Sequence, residues 1–252
     1  MPPRVRALRP RRPDAAAPAA APRAPARPRE REDGERKRDA TRRLILEEAQ
    51  RLFRDRGVDA TTMRDIAQAA GLSLGAAYYH FPSKEALVFA FYEDNQARFE
   101  ALAEREGDTA SVRARLGALL HGSLDEIASQ RAMLASIIHH LVNPGDPLSA
   151  FSHQTRAVRG RAVAVFRRVL AGSGLPPPAV AAAAHALWML HLACMLVFIH
   201  DDTPGGARTH GLVDDGLDLV VPLLPFLGTA PGVALCERAT QALARAGIEL
   251  LA

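Results

Sequence analysis

The chain has 252 residues, enough for one small domain and one larger hydrophobic core. Its net charge of +4 is unevenly distributed, because residues 1–38 carry twelve Lys and Arg against five Asp and Glu, and the rest carries 20 against 23. The two cysteines, Cys194 and Cys236, lie far apart without metal-type spacing, which argues against a disulfide framework and favours a reduced, cytoplasmic setting.

The N-terminal segment, residues 1–37, is rich in Arg, Pro and Ala and contains no aromatic residue. This composition cannot bury enough apolar surface to offset the chain entropy lost on folding, so we predict a disordered extension. Its prolines argue against a transit peptide, and no apolar run follows its first arginines as in a secretory signal. Two interpretations stay open: an arm that attracts DNA phosphates or reaches a minor groove, and a passive extension or misassigned start.

The first predicted helix follows this segment. Ile45, Ala49, Leu52 and Phe53 recur at i, i+4, i+7 and i+8, which is the spacing of one helix face, and Gly57 ends the pattern. This helix is predicted to support the motif that follows it.

Residues 62–81 predict two short helices joined by a glycine turn. Thr62 and Asp65 form a Thr-x-x-Asp start signal, in which the hydroxyl accepts a first-turn N–H and the carboxylate favours the positive helix end. Gly71 can adopt the left-handed backbone that closes the first helix, and Ser73 can cap the second. The second helix is too short and too weakly apolar for a core element, so it suits the presentation of side chains to a DNA groove.

The spaced pattern over residues 39–99 closely resembles the DNA-binding domain of the TetR family of bacterial transcription regulators. The matching positions are Thr41, Ile45, Ala49, Phe53, Gly57, Thr62, Ile66, Ala67, Ala70, Gly71, Ser73, Gly75, Tyr78, His80, Phe81, Lys84, Glu85 and Leu87. The resemblance implies an all-α protein. A three-helix helix-turn-helix domain over residues 38–84 would precede a larger helical bundle for ligand binding and dimerisation over residues 85–252.

The resemblance also implies a set of DNA contacts. Arg64 matches a position that can read a guanine through its two-pronged donor geometry, although a solvated surface charge is the alternative. Thr62, Tyr78 and Lys84 match positions that commonly hold phosphates, and Tyr78 could equally be a core aromatic with its hydroxyl outward. The helix cap and the groove-facing positions after it are Ser73, Leu74, Gly75, Ala76, Tyr79 and His80.

Beyond Lys84 the sequence predicts only helices, separated by breaks at Gly and Pro. A long helix begins at Lys84, and the later helices are predicted near 110–129, 131–142, 147–171, 178–200, 208–227 and 232–251. Pro222 is expected to kink the helix that contains it.

The run from 179 to 199 has 21 residues and no formal charge, so its length permits a membrane span. Seven of its residues are alanine, two are histidine, and no positive cluster flanks it, which favours a buried helix of a bundle and no membrane. The TetR resemblance implies a homodimer in which helices near 178–200 and 208–227 form a four-helix interface. A two-fold dimer in turn implies a near-palindromic operator in double-stranded DNA.

The histidines predict no metal site. Eight of the nine lie outside the helix-turn-helix motif, and a helical site would need two of them on one face. His185 and His191 are six residues apart, and the adjacent His139 and His140 should diverge by about 100° around a helix. We therefore predict neither a metal nor another cofactor.

An effector pocket is the more specific interpretation of these residues. Trp188, His191 and Met195 lie at i, i+3 and i+7, and with His139 and His140 they could line an apolar pocket with polar groups. Plain core or dimer packing is the alternative, because an aromatic stripe at helical spacing is usually packing.

No catalytic motif is present: the chain has no Gly-rich phosphate loop and no nucleophile elbow, and its paired aspartates at 201–202 and 214–215 are interpreted as solvated charges at helix edges. The sequence therefore predicts no enzyme. With the TetR resemblance, it predicts a cytoplasmic, sequence-specific transcription regulator, a repressor released by an apolar or amphipathic small molecule. The alternatives are a DNA-binding interaction factor whose C-terminal bundle binds a protein, and a membrane-associated helical enzyme.

Overall fold

The computed structural model describes residues 28–105 and 111–245, and within these ranges every regular element is helical, as predicted. The α-helices are α1 (Pro28–Arg56), α2 (Met63–Ala69), α3 (Leu74–His80), α4 (Lys84–Arg105), α5 (Val112–Ala128), α6 (Arg131–Val142), α7 (Arg156–Val169), α8 (Pro177–His200), α9 (Ala207–Val220), α10 (Leu224–Leu227) and α11 (Ala230–Arg245). Short 3-10 turns occupy Pro204–Gly206 and Val221–Leu223. The chain divides into two compact units, Met1–Ala40 and Thr41–Ala252.

In the first unit, the structure differs from the predicted extension over residues 28–37. This stretch is helical, because α1 begins at Pro28, whereas the predicted disorder of residues 1–27 lies outside the described residues. Proline is well tolerated in the first helical turn, and the residues after it alternate acidic and basic side chains at helical spacing with no further proline. Composition averaged over 37 residues conceals this local change.

The second unit begins with the three-helix core of the predicted helix-turn-helix domain. Its largest buried side chains are no more than 2% exposed and come from α1, α2 and the segment from α3 into α4: Ile45, Phe53, Ile66, Phe81 and Leu87. Gly57 and Gly71 have positive φ angles of 85° and 67°, a backbone conformation in which glycine avoids the strain of a Cβ atom. The two glycines that the sequence assigns to helix ends therefore reverse the chain as expected.

The remaining helices form the bundle, in which α8 packs against α6, α7, α9 and α11. Within the described residues, α8 is the one helix that is long and apolar enough to cross a membrane by itself. The segments Pro204–Leu227 and Ala230–Ala242 are long and apolar enough to cross a membrane only when they are taken together, and the chain bends by 110° between them. Half of the apolar window of α8 is buried among its neighbours, and its buried residues include Ala184, Leu187 and Cys194. This packing supports the interpretation of α8 as a core helix of a bundle.

One predicted helix boundary is wrong by nine residues, because α7 begins at Arg156 instead of residue 147. The intervening chain folds into turns held by short polar side chains. The Asp146 carboxylate accepts the N–H of Leu148 at 2.8 Å, and the Thr155 hydroxyl donates to the carbonyl of Ser149 at 2.7 Å. Such side chains offer the backbone hydrogen-bond partners that compete with helix formation.

At the C-terminal side, the predicted helix 208–227 is divided. It ends at Val220 and continues as a 3-10 turn that contains Pro222 and then as α10, so the α-helix is interrupted at this proline. The last predicted helix corresponds to α11, which the structure describes as far as Arg245.

The prediction that the paired aspartates are solvated charges is wrong for Asp201. Its side chain is buried after the end of α8, and both carboxylate oxygens accept hydrogen bonds: one from the N–H and hydroxyl of Thr203, the other from the N–H and hydroxyl of Thr209. The hydrogen bonds from Thr203 and then Thr209 lower the pKa of Asp201 below its usual range, although burial opposes this shift. Asp201 thereby fixes the connection from α8 to α9.

Candidate nucleic-acid interface and effector cavity

The two motif helices begin with the caps that the sequence predicts. The Thr62 hydroxyl accepts the N–H of Asp65 at 3.2 Å while the Asp65 carboxylate accepts the N–H of Thr62 at 2.9 Å, which is a reciprocal capping box. Hydrogen bonds from Thr62, with a smaller contribution from Arg56 at 2.8 Å, lower the pKa of Asp65. The Ser73 hydroxyl accepts the N–H of Ala76 at 3.1 Å and starts α3.

Helix α3 exposes one face and buries the other. Ala77 is fully buried, whereas Tyr78 and Tyr79 expose 48% and 71% of their surface. Two large aromatic side chains held outward on a helix of seven residues form a surface that the domain core does not use. Of the predicted contact residues, those classed as exposed are Thr62, Arg64, Ser73, Gly75, Tyr78 and Tyr79, and the half-buried ones are Leu74, Ala76, His80 and Lys84.

Two of the predicted phosphate contacts are already engaged within the protein. The Thr62 hydroxyl also donates to the Asp65 carboxylate at 2.7 Å, and the Lys84 ammonium donates to the carbonyls of Val58 and Asp59 at 2.9 and 3.4 Å. An ammonium has three donors, so Lys84 retains one for a phosphate. Arg64 makes no hydrogen bond or ion pair within the described part of the chain and projects from α2.

The bundle contains a cavity of about 140 Å³. Side chains of α4, α5, α6, α7 and α8 line it, and most of them are apolar, including Phe99, Ile127, Leu134, Trp188, Leu192 and Met195. Cavities of about 150 Å³ hold a molecule the size of benzene. The space is therefore sufficient for a small apolar ligand.

His191 provides a polar group in the wall of the cavity. Its Nε2 atom lies 2.8 Å from the Ser123 hydroxyl, and its ring stacks on Phe99 with 4.7 Å between the ring centres. Burial lowers the pKa of His191 to about 4, so the imidazole is neutral near pH 7. The buried side-chain oxygen of Asn95, also in the wall, has no hydrogen-bond partner within the described residues.

Three of the five predicted pocket residues, Trp188, His191 and Met195, are in the wall of this cavity. His139 and His140 are not among its lining residues, which corrects their assignment to the pocket. The expected divergence of these two side chains is also wrong, because their ring centres are 3.9 Å apart. Side-chain torsions bring together two rings whose Cβ atoms leave the helix in different directions.

Sequence reasoning did not identify Ser123, Asn95 or Phe99 as pocket residues. They belong to α4 and α5, and they meet the α8 residues only through the packing of the bundle. No local pattern marks them, since a helix face that lines a cavity has the same periodicity as one that packs fully.

The capped helices α2 and α3, joined by a glycine turn and supported by α1, define the N-terminal part of the second unit as a helix-turn-helix domain of the kind that binds DNA. Residues 45–91 match the profile of the bacterial regulatory proteins of the tetR family. The matched residues run from α1 through α2 and α3 into α4.

Similarity to curated relatives covers less than half of the chain. The HTH-type transcriptional repressor Rv1474c of Mycobacterium tuberculosis is 43% identical over 79 residues, which are 31% of this chain and 42% of that protein. The HTH-type transcriptional repressor KstR2 of Rhodococcus jostii is 33% identical over 102 residues, or 39% of this chain and 50% of that protein. The chain thus spans half or less of the length of these two relatives.

Solved structures extend the likeness in fold to the bundle. GusR of Salmonella enterica aligns with a TM-score of 0.57 at 24% identity, over 74% of this chain and 96% of that one. A TetR transcriptional regulator of Nitrosomonas europaea aligns with a TM-score of 0.55 at 19% identity, over 71% and 97%. At these identities the likeness establishes the fold alone.

Proposed function

We propose that this protein is a cytoplasmic transcription regulator that represses genes by binding a near-palindromic operator and is released by a small molecule. The observation that carries this proposal is the course of α4. Its first residue, Lys84, donates hydrogen bonds to the loop before α2, and further along it Asn95, Phe99 and Leu102 line the cavity. One continuous helix therefore contacts both the DNA-binding domain and the space for an effector.

The names of two relatives support repression as the direction of regulation. Rv1474c and KstR2 are named HTH-type transcriptional repressors. A repressor of this kind needs DNA affinity in its free state and a ligand that favours a different arrangement.

A homodimer is the assembly that fits the operator. A single recognition helix as short as α3 reads few base pairs, and a two-fold dimer doubles the number read. The bundle offers apolar surface for such an interface, since Met189 of α8 and Leu219 of α9 are 45% and 72% exposed. These residues lie on the two helices, α8 and α9, that the sequence assigns to dimerisation.

The effector is an apolar or amphipathic molecule in this proposal. The cavity wall is mainly apolar and its histidine is neutral, and the charged residues in the lining, Arg98, Glu126 and Arg159, are of both signs. Ser123 and His191 would bind a hydroxyl or carbonyl group of the ligand at one end.

The DNA contacts can be tested by comparing two substitutions on operator and random duplex. Arg64→Ala should cost about 1–3 kcal/mol on the operator and relax the sequence preference, because a base-reading donor is lost. Lys84→Ala should weaken binding to all sequences alike and lower the salt slope by about one, because a phosphate contact is lost. The measurement is a fluorescence anisotropy titration at several salt concentrations.

Arg168→Ala provides a control of equal charge change, since Arg168 is an exposed arginine near the end of α7. It should leave both affinities close to wild type. Equal losses on operator and random duplex for Arg64→Ala would contradict the base-reading role of Arg64. Absence of operator binding by the wild-type chain would reject the proposed function.

A further inference from the structure

Asp59, His139 and His140 form a cluster that the helix-turn-helix and the cavity do not explain. Asp59 lies in the loop between α1 and α2, and the two histidines lie in the last turn of α6. The Asp59 carboxylate oxygens are 3.3 Å from Nε2 of His139 and 3.5 Å from Nε2 of His140. One ligating atom from each residue lies within 4.8 Å of the other two.

A fourth residue, Asp146, orients one of these rings. Nδ1 of His140 donates to the Asp146 carboxylate at 2.7 Å, and the other oxygen of this carboxylate accepts the Leu148 N–H at 2.8 Å. With its proton on Nδ1, a neutral imidazole carries its lone pair on Nε2. This Nε2 atom is buried, makes no hydrogen bond within the described chain and faces Asp59.

We propose that Asp59, His139 and His140 bind a divalent transition-metal ion, with Asp146 as the residue that positions His140. Zinc–nitrogen and zinc–oxygen bonds of about 2.0–2.2 Å place neighbouring tetrahedral ligands about 3.3–3.6 Å apart. Oδ2 of Asp59 is 3.3 Å from His139 and Oδ1 of Asp59 is 3.5 Å from His140, so each carboxylate oxygen is at such a distance from one histidine. A carboxylate that accepts the second ring N–H of a ligating histidine is a common accompaniment of such sites.

The ligand set selects the class of ion. Two imidazoles and one carboxylate suit Zn²⁺, Co²⁺ or Ni²⁺, whereas Mg²⁺ and Ca²⁺ prefer oxygen ligands throughout. Asp59 and His139 have side chains that are 73% and 57% exposed, so a water molecule can occupy the fourth position. The competing explanation is a surface ion pair, in which a protonated His140 directs one ring N–H to Asp146 and the other towards Asp59. The Co²⁺ titration described below distinguishes this ion pair from a metal site.

The site joins the DNA-binding domain to the bundle. Asp59 precedes α2 by four positions and its carbonyl accepts a hydrogen bond from Lys84 at the start of α4, while both histidines belong to α6. A bound ion would fix this loop to the end of α6 and thereby restrict the helix-turn-helix. This regulatory consequence rests on the proposed DNA binding, whereas the metal site itself does not.

Metal binding can be tested by titrating the full-length, tag-free protein with Co²⁺ and following the visible d–d absorption, then displacing Co²⁺ with Zn²⁺. We expect one Co²⁺ per chain. Asp59→Asn and His139→Ala should abolish the absorption, and Asp146→Asn should weaken affinity about 10–100-fold, as expected for a residue that orients a ligand. His153→Ala is the matched control, because His153 is an exposed histidine outside the cluster, and it should bind as wild type does.

Circular dichroism should confirm that the variants fold, since the substituted side chains of Asp59 and His139 are exposed. No Co²⁺ binding by the wild-type chain would overturn the site. Binding that persists in both Asp59→Asn and His139→Ala would overturn it as well, since it would show an adventitious ion only.

The coupling is tested separately by measuring operator affinity with and without Zn²⁺. We expect a change of about 5-fold or more in the wild-type protein, within the usual range of coupling between sites, and none in Asp59→Asn. Zn²⁺ binding with unchanged operator affinity would overturn the coupling and leave the metal site standing. Loss of operator binding under all conditions would reject the proposed function without bearing on the Co²⁺ titration.

Discussion

At the scale of single residues, the structure separates side chains with local roles from those that join distant elements. The caps formed by Thr62 with Asp65 and by Ser73 were predictable, because each partner is within three residues along the chain. The role of His140 was not, because its ring is oriented by Asp146 and faces a loop about eighty positions earlier in the sequence.

Asp201 leads to a prediction of the pH dependence of stability. An aspartate in an unfolded chain has a pKa of about 3.9, and the hydrogen bonds from Thr203 and Thr209 hold the folded value lower. The stabilisation is therefore complete above about pH 5 and is lost as the pH falls towards the folded pKa. We expect Asp201→Asn to lower the Tm by several degrees near pH 7, and we expect this difference in Tm to shrink as the pH falls below about 4 towards the folded pKa.

Asp202→Asn is the matched control for this measurement. The Asp202 side chain is 85% exposed and pairs with Arg208 at 3.1 Å, a type of ion pair that contributes little to stability. Thermal melts followed by circular dichroism should therefore show almost no change in this variant. Equal Tm values for Asp201→Asn and wild type near pH 7 would contradict the structural role of Asp201.

At the scale of helices, sequence periodicity located the elements well and failed where polar side chains form turns. The predicted helix 131–142 matches α6, and 178–200 matches α8 to within one residue. The late start of α7 could not be foreseen, because Asp146, Ser149 and Thr155 form hydrogen bonds that only the folded turn brings together. Periodicity shows which face of a helix is apolar. It does not show where polar side chains form hydrogen bonds with the backbone in place of the helix.

Exposed apolar side chains on α9, on α10 and on the 3-10 turn between them predict the dimer interface. Leu219, Leu223 and Phe226 are 72%, 59% and 46% exposed in the single chain, which is more apolar surface than an isolated bundle needs. Leu219→Asp should fold, because this side chain is outside the core, and should be monomeric, because an unpaired buried charge costs several kcal/mol at an interface. Sedimentation velocity at matched concentrations measures the result.

Val142→Asp serves as the control, since Val142 is an exposed apolar residue at the end of α6 and 49% exposed. It should remain dimeric. A Leu219→Asp protein that sediments as a dimer would place the interface elsewhere on the molecule.

At the scale of the whole molecule, the structure shows that α4 contacts the loop before α2 through Lys84 and lines the cavity further along. The sequence placed the helix that begins at Lys84 between a DNA-binding domain and an effector bundle, but no pattern assigns residues of this helix to the cavity wall. The reason is that Asn95 and Phe99 look like ordinary positions of an amphipathic helix, and the cavity beside them exists only after five helices have packed. Three of the predicted pocket residues were placed by the spacing on α8, while the contributions of the other helices required the structure.

Effector control through α4 is the prediction at this scale. A small apolar ligand with a hydroxyl or carbonyl group should enter the cavity beside Trp188 and change the fluorescence of this residue, the only tryptophan in the chain. The same ligand should displace α4 and release the operator over the same concentration range. A ligand that prefers the released arrangement about 100-fold supplies about 2.7 kcal/mol of coupling. Thermal shift identifies compounds, and anisotropy of labelled operator measures release.

Filling the cavity separates ligand binding from DNA binding. Ala162→Leu adds bulk to the wall of a space of about 140 Å³, so it should abolish the fluorescence response and the release while operator affinity remains close to wild type. Ser123→Ala removes the partner of His191 and should weaken ligands that carry a polar group more than purely apolar ones. If ligands change Trp188 fluorescence without releasing DNA, α4 does not transmit the signal. If no compound binds the cavity, a protein partner of the bundle becomes the better explanation, because control of α4 would then have to come from its outer surface.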